Sequence, residues 1–447
     1  MTKENKETAA FVNIQDFESL CKSVDEEIAE KIAGCFAQRR TLVKALSYAD
    51  ALSDPLSRNK TSWGIAEGQG YENPGAIQAL VGENKWDSQD VWDRIAILAS
   101  ELENVENDPL GIGIIADETA QQKRGDQTAG VGYQYAGIAG KVVNCTTWVS
   151  LALAGPHYKT WVSSTLYLPR KDWFTGRKER GEARRRKAGI PLGTRFMTKP
   201  RIARKSYQHL RDIGVNFTWG GGDEVYGRYA KLREDHENNG EAYAYFIPRN
   251  FKVTTPSGQR KMASELPELK EAKFEERSAG PGVNGPRYYE WAMIGIKSPD
   301  HYLLIRRPAR EWPDENDQKT GAAGPERGMR TTGKSGGGKS EGKRQEEASA
   351  AQGMTFCLCY VPPESAIKPT MTNLVLMAGR RWGIEESNAV EKGPVGWDEN
   401  QFRQWKSLCR HTALAAGLRS KYLRCSARCR RCDCGASAIR SAGWPTI

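Results

Sequence analysis

The sequence predicts an α/β fold with a helical N-terminal segment. Two observations indicate this class. Apolar residues recur at helical spacing before about residue 105, and short apolar runs rich in Val, Thr, Trp and Tyr then alternate with helical patterns. The chain has 447 residues, 13 of them Trp and 16 Tyr. It is therefore long enough for roughly two to four domains and a sizeable core.

Two helices are predicted in the N-terminal segment. The first spans residues 28–46, where apolar side chains recur at helical spacing. The second runs from about Trp86 to Leu102, and the preceding Asp87-Ser88-Gln89-Asp90 offers an N-cap and an acidic first turn. A loop-rich stretch, residues 54–74, separates them. We assign residues 1–105 to a helical N-terminal domain.

Buried strands are predicted to begin after Leu110. The apolar run Gly111 to Ala116 is typical of a buried strand and ends at Asp117. Two longer runs follow, Lys141 to Leu153 and Tyr158 to Leu168. The turn signal Ala154-Gly155-Pro156 separates them, so they predict a hairpin.

A helix and a further strand complete the first part of the predicted core, residues 106–240. The helix covers residues 199–213 and ends before Gly214. The strand Val215 to Trp219 then leads into three glycines, residues 220–222, and Asp223.

The remaining segments differ in composition. Residues 241–370 are assigned to a β-rich insertion, within which 313–352 lack Val, Ile, Leu and aromatic residues and are expected to be disordered. Order should return with a strand over residues 355–361. Helices over about 372–392 and 400–414 form the last part of the core, residues 371–418. Residues 419–447 form an aberrant or disordered tail rich in Arg and Cys.

The charge of the chain favours a polyanionic partner. The formal net charge is +11 and the pI is about 9.1, so nucleic acid is the first candidate. Residues 170–187 contain nine Lys or Arg and three acidic residues, which fits either phosphate contacts or a solvated loop. No stretch approaches the roughly 20 apolar residues of a membrane span, and the N-terminus resembles no signal peptide. We therefore expect an intracellular protein that does not bind membranes.

Two aspartates and a glutamate form a candidate metal site. Asp117 and Asp223 each follow a predicted strand, and carboxylates at the ends of neighbouring strands can converge. Glu385 lies on a predicted helix with Arg381 four residues before it and Lys392 seven after it, so the three share a helical face. Enzymes that cut and join phosphodiesters hold two divalent ions about 3.5–4 Å apart, and carboxylates are suitable ligands for Mg²⁺. From its spacing alone, the segment around Glu385 is better explained as an ordinary salt-bridged surface helix.

Three ordered blocks carry a resemblance to a known family. The first contains Ile115-Ala116-Asp117-Glu118-Thr119 and Lys123-Arg124-Gly125. The second runs from Trp219 through Asp223 to Arg228. The third runs from Arg381 through Glu385 to Lys392 and has the spacing R-x3-E-x6-K. Over roughly residues 35–415 the chain resembles bacterial insertion-sequence transposases with a DDE active site, in particular the family of insertion sequence 701 within the insertion-sequence-4-like group.

The resemblance implies a ribonuclease-H-like catalytic core with a β-rich insertion before the catalytic Glu. It implies Asp117, Asp223 and Glu385 as catalytic residues and as ligands of two Mg²⁺ ions, for which Mn²⁺ can substitute. Arg381 and Lys392 would contact DNA phosphate. The partners implied are double-stranded DNA, both as terminal inverted repeats and as target, and a second copy of the chain in a homodimer. The location implied is the bacterial cytoplasm, at the nucleoid.

Some residues depart from the family pattern. Ala378 stands where the group has a tyrosine, and Ser387-Asn388 replace apolar residues after the glutamate pair. Residues 333–340 match the phosphate-loop pattern G-x4-G-K-S, but their polar flanks favour a linker over an ATP site. The four cysteines of the tail are too crowded for a standard zinc site, and an aberrant C-terminus explains them better.

Three functions therefore remain open from the sequence. The first is an active transposase that cleaves insertion-sequence ends and joins them to target DNA. The second is a catalytically decayed or domesticated relative that only binds DNA, and the third is a Mg²⁺-dependent nuclease without strand transfer. In each case the segment 1–105 is either a DNA-end-binding domain or a packing domain.

Overall fold

The computed structural model describes residues 22–23, 26–53, 60–103, 105–157, 159–175, 178–282, 285–309 and 353–416. Its strands are β1 (Gly113–Gln122), β2 (Gly132–Ala136), β3 (Lys141–Ala154), β4 (Lys159–Tyr167), β5 (Trp219–Gly222), β6 (Ala242–Ile247), β7 (Lys252–Thr254), β8 (Arg260–Met262), β9 (Glu275–Gly282), β10 (Gly285–Gly295), β11 (His301–Pro308) and β12 (Thr355–Tyr360). Its helices are α1 (residues 26–32), α2 (Arg39–Ser53), α3 (Ser62–Gly68), α4 (Gly75–Gly82), α5 (Ser88–Leu102), α6 (Arg170–Trp173), α7 (Lys178–Lys187), α8 (Lys199–Asp212), α9 (Glu224–Gly227), α10 (Ala230–Asn238), α11 (Met371–Arg380), α12 (Trp382–Lys392) and α13 (residues 405–416).

One large mixed sheet organises the described residues. Ten strands take part in the order β2-β3-β1-β5-β6-β12-β11-β10-β9, and β4 pairs with β3 beside β2. β1, β5 and β6 run parallel, whereas β3 and β4 are antiparallel to their neighbours. This mixed α/β arrangement is consistent with a ribonuclease-H-like fold. The sheet crosses the boundary expected at residue 240, so the division of the chain into domains stays a prediction.

The predicted hairpin is present, but the first strand is longer than predicted. β3 and β4 pair antiparallel on either side of the turn at residues 155–157. β1 does not end at Asp117 but continues to Gln122, because β3 pairs with it along its whole length. Asp117 therefore lies within a strand, opposite Ser150.

The strand predicted over Val215 to Trp219 is wrong by about four residues. β5 instead consists of Trp219 and the three following glycines, all buried. A Cβ on Gly220 would overlap the His236 ring, and a Cβ on Gly221 would lie 2.9 Å from Ile115 Cδ1 and 3.1 Å from the Ala244 carbonyl oxygen. The glycines therefore form the strand itself and allow its neighbours to approach closely.

The two faces of the sheet carry different helices. Ile114 and Ala116 of β1 point to the face covered by α8, α9 and α10. Ile115 points to the other face and belongs to the same core as Leu374 of α11 and Ile384 of α12. This alternation follows from the period of two residues in a strand.

The N-terminal helices differ in part from the prediction. Residues 28–46 do not form one helix, because a 3₁₀ turn at Ala33–Cys35 and a bend separate α1 from α2. Phe36 in the bend forms a β-bridge with Trp86 and packs on its ring. The cap of α5 is confirmed: the Asp87 side chain accepts a hydrogen bond from Gln89 N at 2.8 Å. Whether this region is a separate domain stays a prediction, since its apolar residues share one core with the sheet.

The helix predicted over 372–392 is divided in two. Arg287 Nη2 donates a hydrogen bond of 3.0 Å to the Gly379 carbonyl oxygen, which a continuous helix would offer to residue 383. A turn at Arg381 therefore separates α11 from α12. The last described helix begins at residue 405 rather than 400.

Several expectations lie outside the described residues. These are the linker 313–352 with the phosphate-loop pattern at 333–340, and the tail 419–447 with its four cysteines. Among the described helices, none is both long and apolar enough to cross a bilayer.

Candidate active site

The register between two parallel strands brings the two predicted aspartates together. β1 and β5 pair from Gly113 with Trp219 to Ala116 with Gly222. Asp117 follows Ala116 within β1, and Asp223 directly follows the last residue of β5, so both lie at the same edge of the parallel pair. The convergence expected from the sequence is therefore observed.

Three carboxylates meet at this edge. Asp117, Glu118 and Asp223 each offer an oxygen within 4.8 Å of the others, and all three side chains are half-buried. This donor set fits a hard divalent cation, which prefers carboxylate oxygens. Glu385 is not a member of the cluster in the described part of the chain.

Asp223 is held by its own helix. It caps α9, and its Oδ1 accepts a hydrogen bond of 2.9 Å from Val225 N. The capping bond fixes the carboxylate at the end of β5.

Burial and neighbouring charges shift the pKa values of two of these carboxylates. Burial, together with the nearby Asp223 charge, raises the pKa of Asp117 to about 7, although the Arg381 guanidinium opposes the shift. Burial also raises the pKa of Glu118, and the Lys199 ammonium opposes this shift. A bound cation would favour the ionised form of both groups.

Asp117 and Glu118 point to opposite faces of the sheet. Glu118 lies on the face of α8 and α9, where its Oε1 accepts a hydrogen bond of 3.1 Å from the Tyr226 hydroxyl and lies 3.6 Å from Lys199 Nζ. Asp117 shares the face of Ile115, on which α12 packs. Asp117 is therefore the carboxylate directed towards the predicted Glu helix.

Arg381 and Glu385 lie close together at α12, as their spacing of four residues predicts. Arg381 Nη2 donates a hydrogen bond of 2.7 Å to Glu385 Oε1. Arg381 and Lys392 both interact electrostatically with Asp117, and burial lowers the pKa of Lys392. The neighbouring Glu386 points elsewhere and pairs with Lys159 of β4 at 2.5 Å.

The departures from the family pattern are accommodated by polar contacts. The buried Ser387 hydroxyl donates to the Gly383 carbonyl at 2.9 Å. Asn388 Oδ1 accepts a hydrogen bond of 3.0 Å from Trp161 Nε1 of β4. Ala378, where the resemblance would place a tyrosine, is buried in the core.

The family of the chain is shown by its match to a family model. A family model described as DDE superfamily endonuclease matches residues 32–272, more than half of the chain. The chain belongs to this family. The matched region of this DDE endonuclease contains Asp117 and Asp223, whereas Arg381, Glu385 and Lys392 follow it. A comparison with curated proteins gave no match.

Membership of the family supports a transposase-like nuclease. Members of the DDE superfamily use divalent metal ions and act on DNA. The acidic cluster of Asp117, Glu118 and Asp223 fits such a site in this chain.

The basic segment 170–187 is not a simple solvated loop. It contains α6 and α7, and three of its arginines, Arg170, Arg184 and Arg185, lie over aromatic rings. The guanidinium of Arg184 lies 4.1 Å from the centre of a Trp173 ring, and Arg185 lies 5.0 Å from that of Phe174. Both also donate to main-chain carbonyls, so these side chains help to hold the segment in place.

Sequence reasoning missed Lys199 and Tyr226 beside the cluster. Lys199 begins α8 and Tyr226 lies on α9, so both reach Glu118 from the face opposite α12. Their separation from Glu118 in sequence hides the contact. Tyr226 lies within the second block, but nothing in that block indicates a contact with Glu118, and Lys199 belongs to none of the three blocks.

Proposed function

We propose that this DDE endonuclease is a transposase that cleaves DNA at the ends of an insertion sequence and joins the freed end to target DNA. The observation that carries the proposal is the meeting of Asp117 and Asp223 at the edge of the β1–β5 pair. The resemblance of the Arg381–Lys392 block to the family of insertion sequence 701 supports transposition over simple hydrolysis.

The residues divide into metal ligands and phosphate contacts. We assign Asp117, Asp223 and Glu385 as the groups that hold two Mg²⁺ ions. Bound Mg²⁺ would lower the pKa of water and stabilise negative charge on the phosphate. Arg381 orients Glu385 through their hydrogen bond, and its charge favours the ionised form of Asp117. Arg381 and Lys392 place two cations on the Asp117 face of the sheet, where a DNA phosphate would lie between carboxylates and basic groups.

The proposal includes the partners of the reaction. Terminal inverted repeats and target DNA are the two substrates, and a dimer would hold both ends of the element. Action on DNA within bacterial cells would place the chain in the cytoplasm at the nucleoid.

The test is cleavage of a plasmid that carries the DNA flanking the coding gene, with Mg²⁺ or EDTA. Wild type should nick the element ends only with Mg²⁺, and Asp117→Asn, Asp223→Asn and Glu385→Gln should each reduce cleavage by about 10³-fold or more. Glu386→Gln is the matched control. Glu386 is the next residue after Glu385, but its side chain points away from Arg381 and pairs with Lys159. This variant should stay within about threefold of wild type, since partly exposed ion pairs contribute little.

Other outcomes distinguish the alternatives. DNA binding without cleavage by wild type would indicate a decayed relative. Cleavage without joined products in a plasmid-integration assay would indicate a nuclease without strand transfer. Full activity of the Glu385→Gln variant would remove that residue from the site.

A further inference from the structure

The hairpin of β2 and β3 exposes an unusual set of side chains. Tyr133 and Tyr135 of β2 are 77% and 65% exposed, and Val142 of β3 is 60% exposed. Tyr135 and Val142 are directly paired, and Tyr133 is two residues along the same strand. The three side chains therefore form one apolar and aromatic surface, which we call the tyrosine surface. Large exposed apolar groups in such a cluster mark a binding site.

The tyrosine surface lies on the same face of the sheet as Asp117. Directly paired residues in antiparallel strands point to the same face, and every second residue of a strand does so too. Asp117 pairs with Ser150 of β3, so Ser150 lies on the same face as Asp117. Every second residue of β3 towards its start, including Asn144 and Val142, lies on that face too. Tyr133 pairs with Asn144, and Tyr135 pairs with Val142.

The register also gives the distance from the acidic cluster. Along β3, Asn144 is six residues and Val142 eight residues from Ser150. At about 3.3 Å per residue, Tyr133 lies about 20 Å and Tyr135 about 26 Å from Asp117 along the sheet. B-form DNA rises about 3.4 Å per base pair, so these distances correspond to about six to eight base pairs.

The charge around the hairpin favours DNA as the occupant. Basic residues of α6 and α7 lie beside the hairpin, because Trp173 Nε1 donates to the Val131 carbonyl at 3.0 Å and Arg184 Nη2 donates to the Asp126 carbonyl at 3.1 Å. The carboxylates of Asp126 and Asp172 lie in the same region. Arg124 and Lys141 beside the hairpin are exposed. A two-stranded β-ribbon also fits the major groove of B-form DNA.

We propose that the tyrosine surface is a second DNA contact, which binds the duplex about six to eight base pairs from the phosphate at Asp117. The inference rests on the proposed function. The basic residues hold the backbone, while the tyrosine rings contact sugars and base edges. Between the two sites this face of β1 and β3 is covered by residues 397–400, which pack on the buried Trp148 and Gln121. The DNA would therefore pass over this segment to touch both the acidic cluster and the hairpin.

The test measures binding of a fluorescein-labelled 40-base-pair duplex by anisotropy, without Mg²⁺. The variant Tyr133→Ala/Tyr135→Ala should bind about fivefold more weakly or worse, because aromatic side chains that become buried in an interface contribute a large share of the affinity. Tyr288→Ala is the matched control, because Tyr288 is 44% exposed but lies on β10, far along the sheet. Thermal unfolding should be unchanged in both variants. Tyr133→Phe/Tyr135→Phe should retain most of the affinity.

Each outcome decides between the claims. Equal DNA affinity of wild type and the double alanine variant would overturn the proposal that the tyrosine surface binds DNA. The proposed cleavage activity would not be affected by that result. A loss of dimer mass in sedimentation, with DNA affinity unchanged, would assign the surface to a second copy of the chain and also overturns the proposal. No DNA binding by wild type overturns both. A benzophenone amino acid at position 135 should crosslink six to eight base pairs from the cleaved phosphate, and crosslinks elsewhere would contradict the assigned path.

Discussion

Two adjacent carboxylates of β1 have different surroundings. Asp117 points towards α12 and interacts with Arg381, whereas Glu118 points towards α8 and α9 and is held by Tyr226 and Lys199. Both lie in the same acidic cluster. Which of them takes part in cleavage is therefore a question that single substitutions can answer.

We expect Glu118→Gln to reduce Mg²⁺-dependent cleavage by about tenfold, compared with about 10³-fold or more for Asp117→Asn. The glutamine keeps the shape of the side chain and can still accept the Tyr226 hydrogen bond. The measurement is the initial rate of plasmid nicking at saturating Mg²⁺. Equal losses in the two variants would instead make Glu118 a metal ligand.

Part of the site could be predicted from single residues. The meeting of Asp117 with Asp223 follows from their positions relative to two strands, and the Arg381–Glu385 contact follows from their spacing of four on a helix. The approach of Glu118 could not be predicted, because alternation in a strand directs it away from Asp117. It nevertheless joins the cluster, since one of its oxygens lies within 4.8 Å of both aspartates.

At the scale of elements, β5 depends on close packing that only glycine allows. Gly220 faces His236, whose ring is fixed by Glu241 at 2.6 Å and by the Tyr245 hydroxyl at 2.9 Å. The ring cannot move away from an added methyl group without breaking these hydrogen bonds. Asp223 follows this strand directly, so a distorted β5 also displaces a proposed metal ligand.

We therefore predict that Gly220→Ala destabilises the protein by about 1–3 kcal/mol and reduces cleavage. Chemical denaturation gives the stability change, and the plasmid assay gives the activity. Gly295→Ala is the control, since a Cβ at this glycine of β10 meets nothing within 4 Å. An unchanged midpoint for Gly220→Ala would show that β5 can shift to accept the side chain.

The mistaken position of β5 has a related cause. Glycine has low strand propensity and no side chain to give a period of two, so residues 220–222 indicate a turn when read alone. The apolar residues before them suggest a strand that the structure places in a loop. The local sequence pattern gives the wrong strand position because the position of β5 depends on close packing against residues distant in sequence, such as Ile115 and His236.

At the scale of the whole molecule, hydrogen bonds of the last described helix, α13, connect it to the N-terminal helices. Arg410 of α13 donates to carbonyls at the end of α4, including that of Asn84 at 2.7 Å. His411 Nδ1 accepts a hydrogen bond of 2.7 Å from the Tyr48 hydroxyl of α2, and its Nε2 donates to the Trp397 carbonyl at 2.9 Å. The sequence predicts individual helices of this assembly but not the contacts of α13 with the N-terminal helices, because these join residues more than 300 positions apart.

His411 also gives the assembly a defined dependence on pH. Burial lowers the pKa of His411 from 6.5 to about 4. Between these values the unfolded chain binds a proton on the imidazole and the folded chain does not. The stability contributed by the neutral ring is therefore fully present above about pH 6.5 and is lost as the pH falls towards 4, by about 3 kcal/mol.

The variant His411→Gln should show a flatter stability profile across this window, because glutamine can occupy the site without titrating. Urea denaturation of wild type and variant at pH 7.5, 6, 5 and 4.5 measures the difference. The two curves should converge as the pH falls, since wild type alone loses the contribution of His411. Other buried groups such as His236 titrate in both proteins and cancel from the comparison. Parallel curves would contradict this prediction. They would show that His411 accepts a proton in the folded state, so that the contact between Tyr48 of α2 and His411 of α13 is compatible with a charged imidazole.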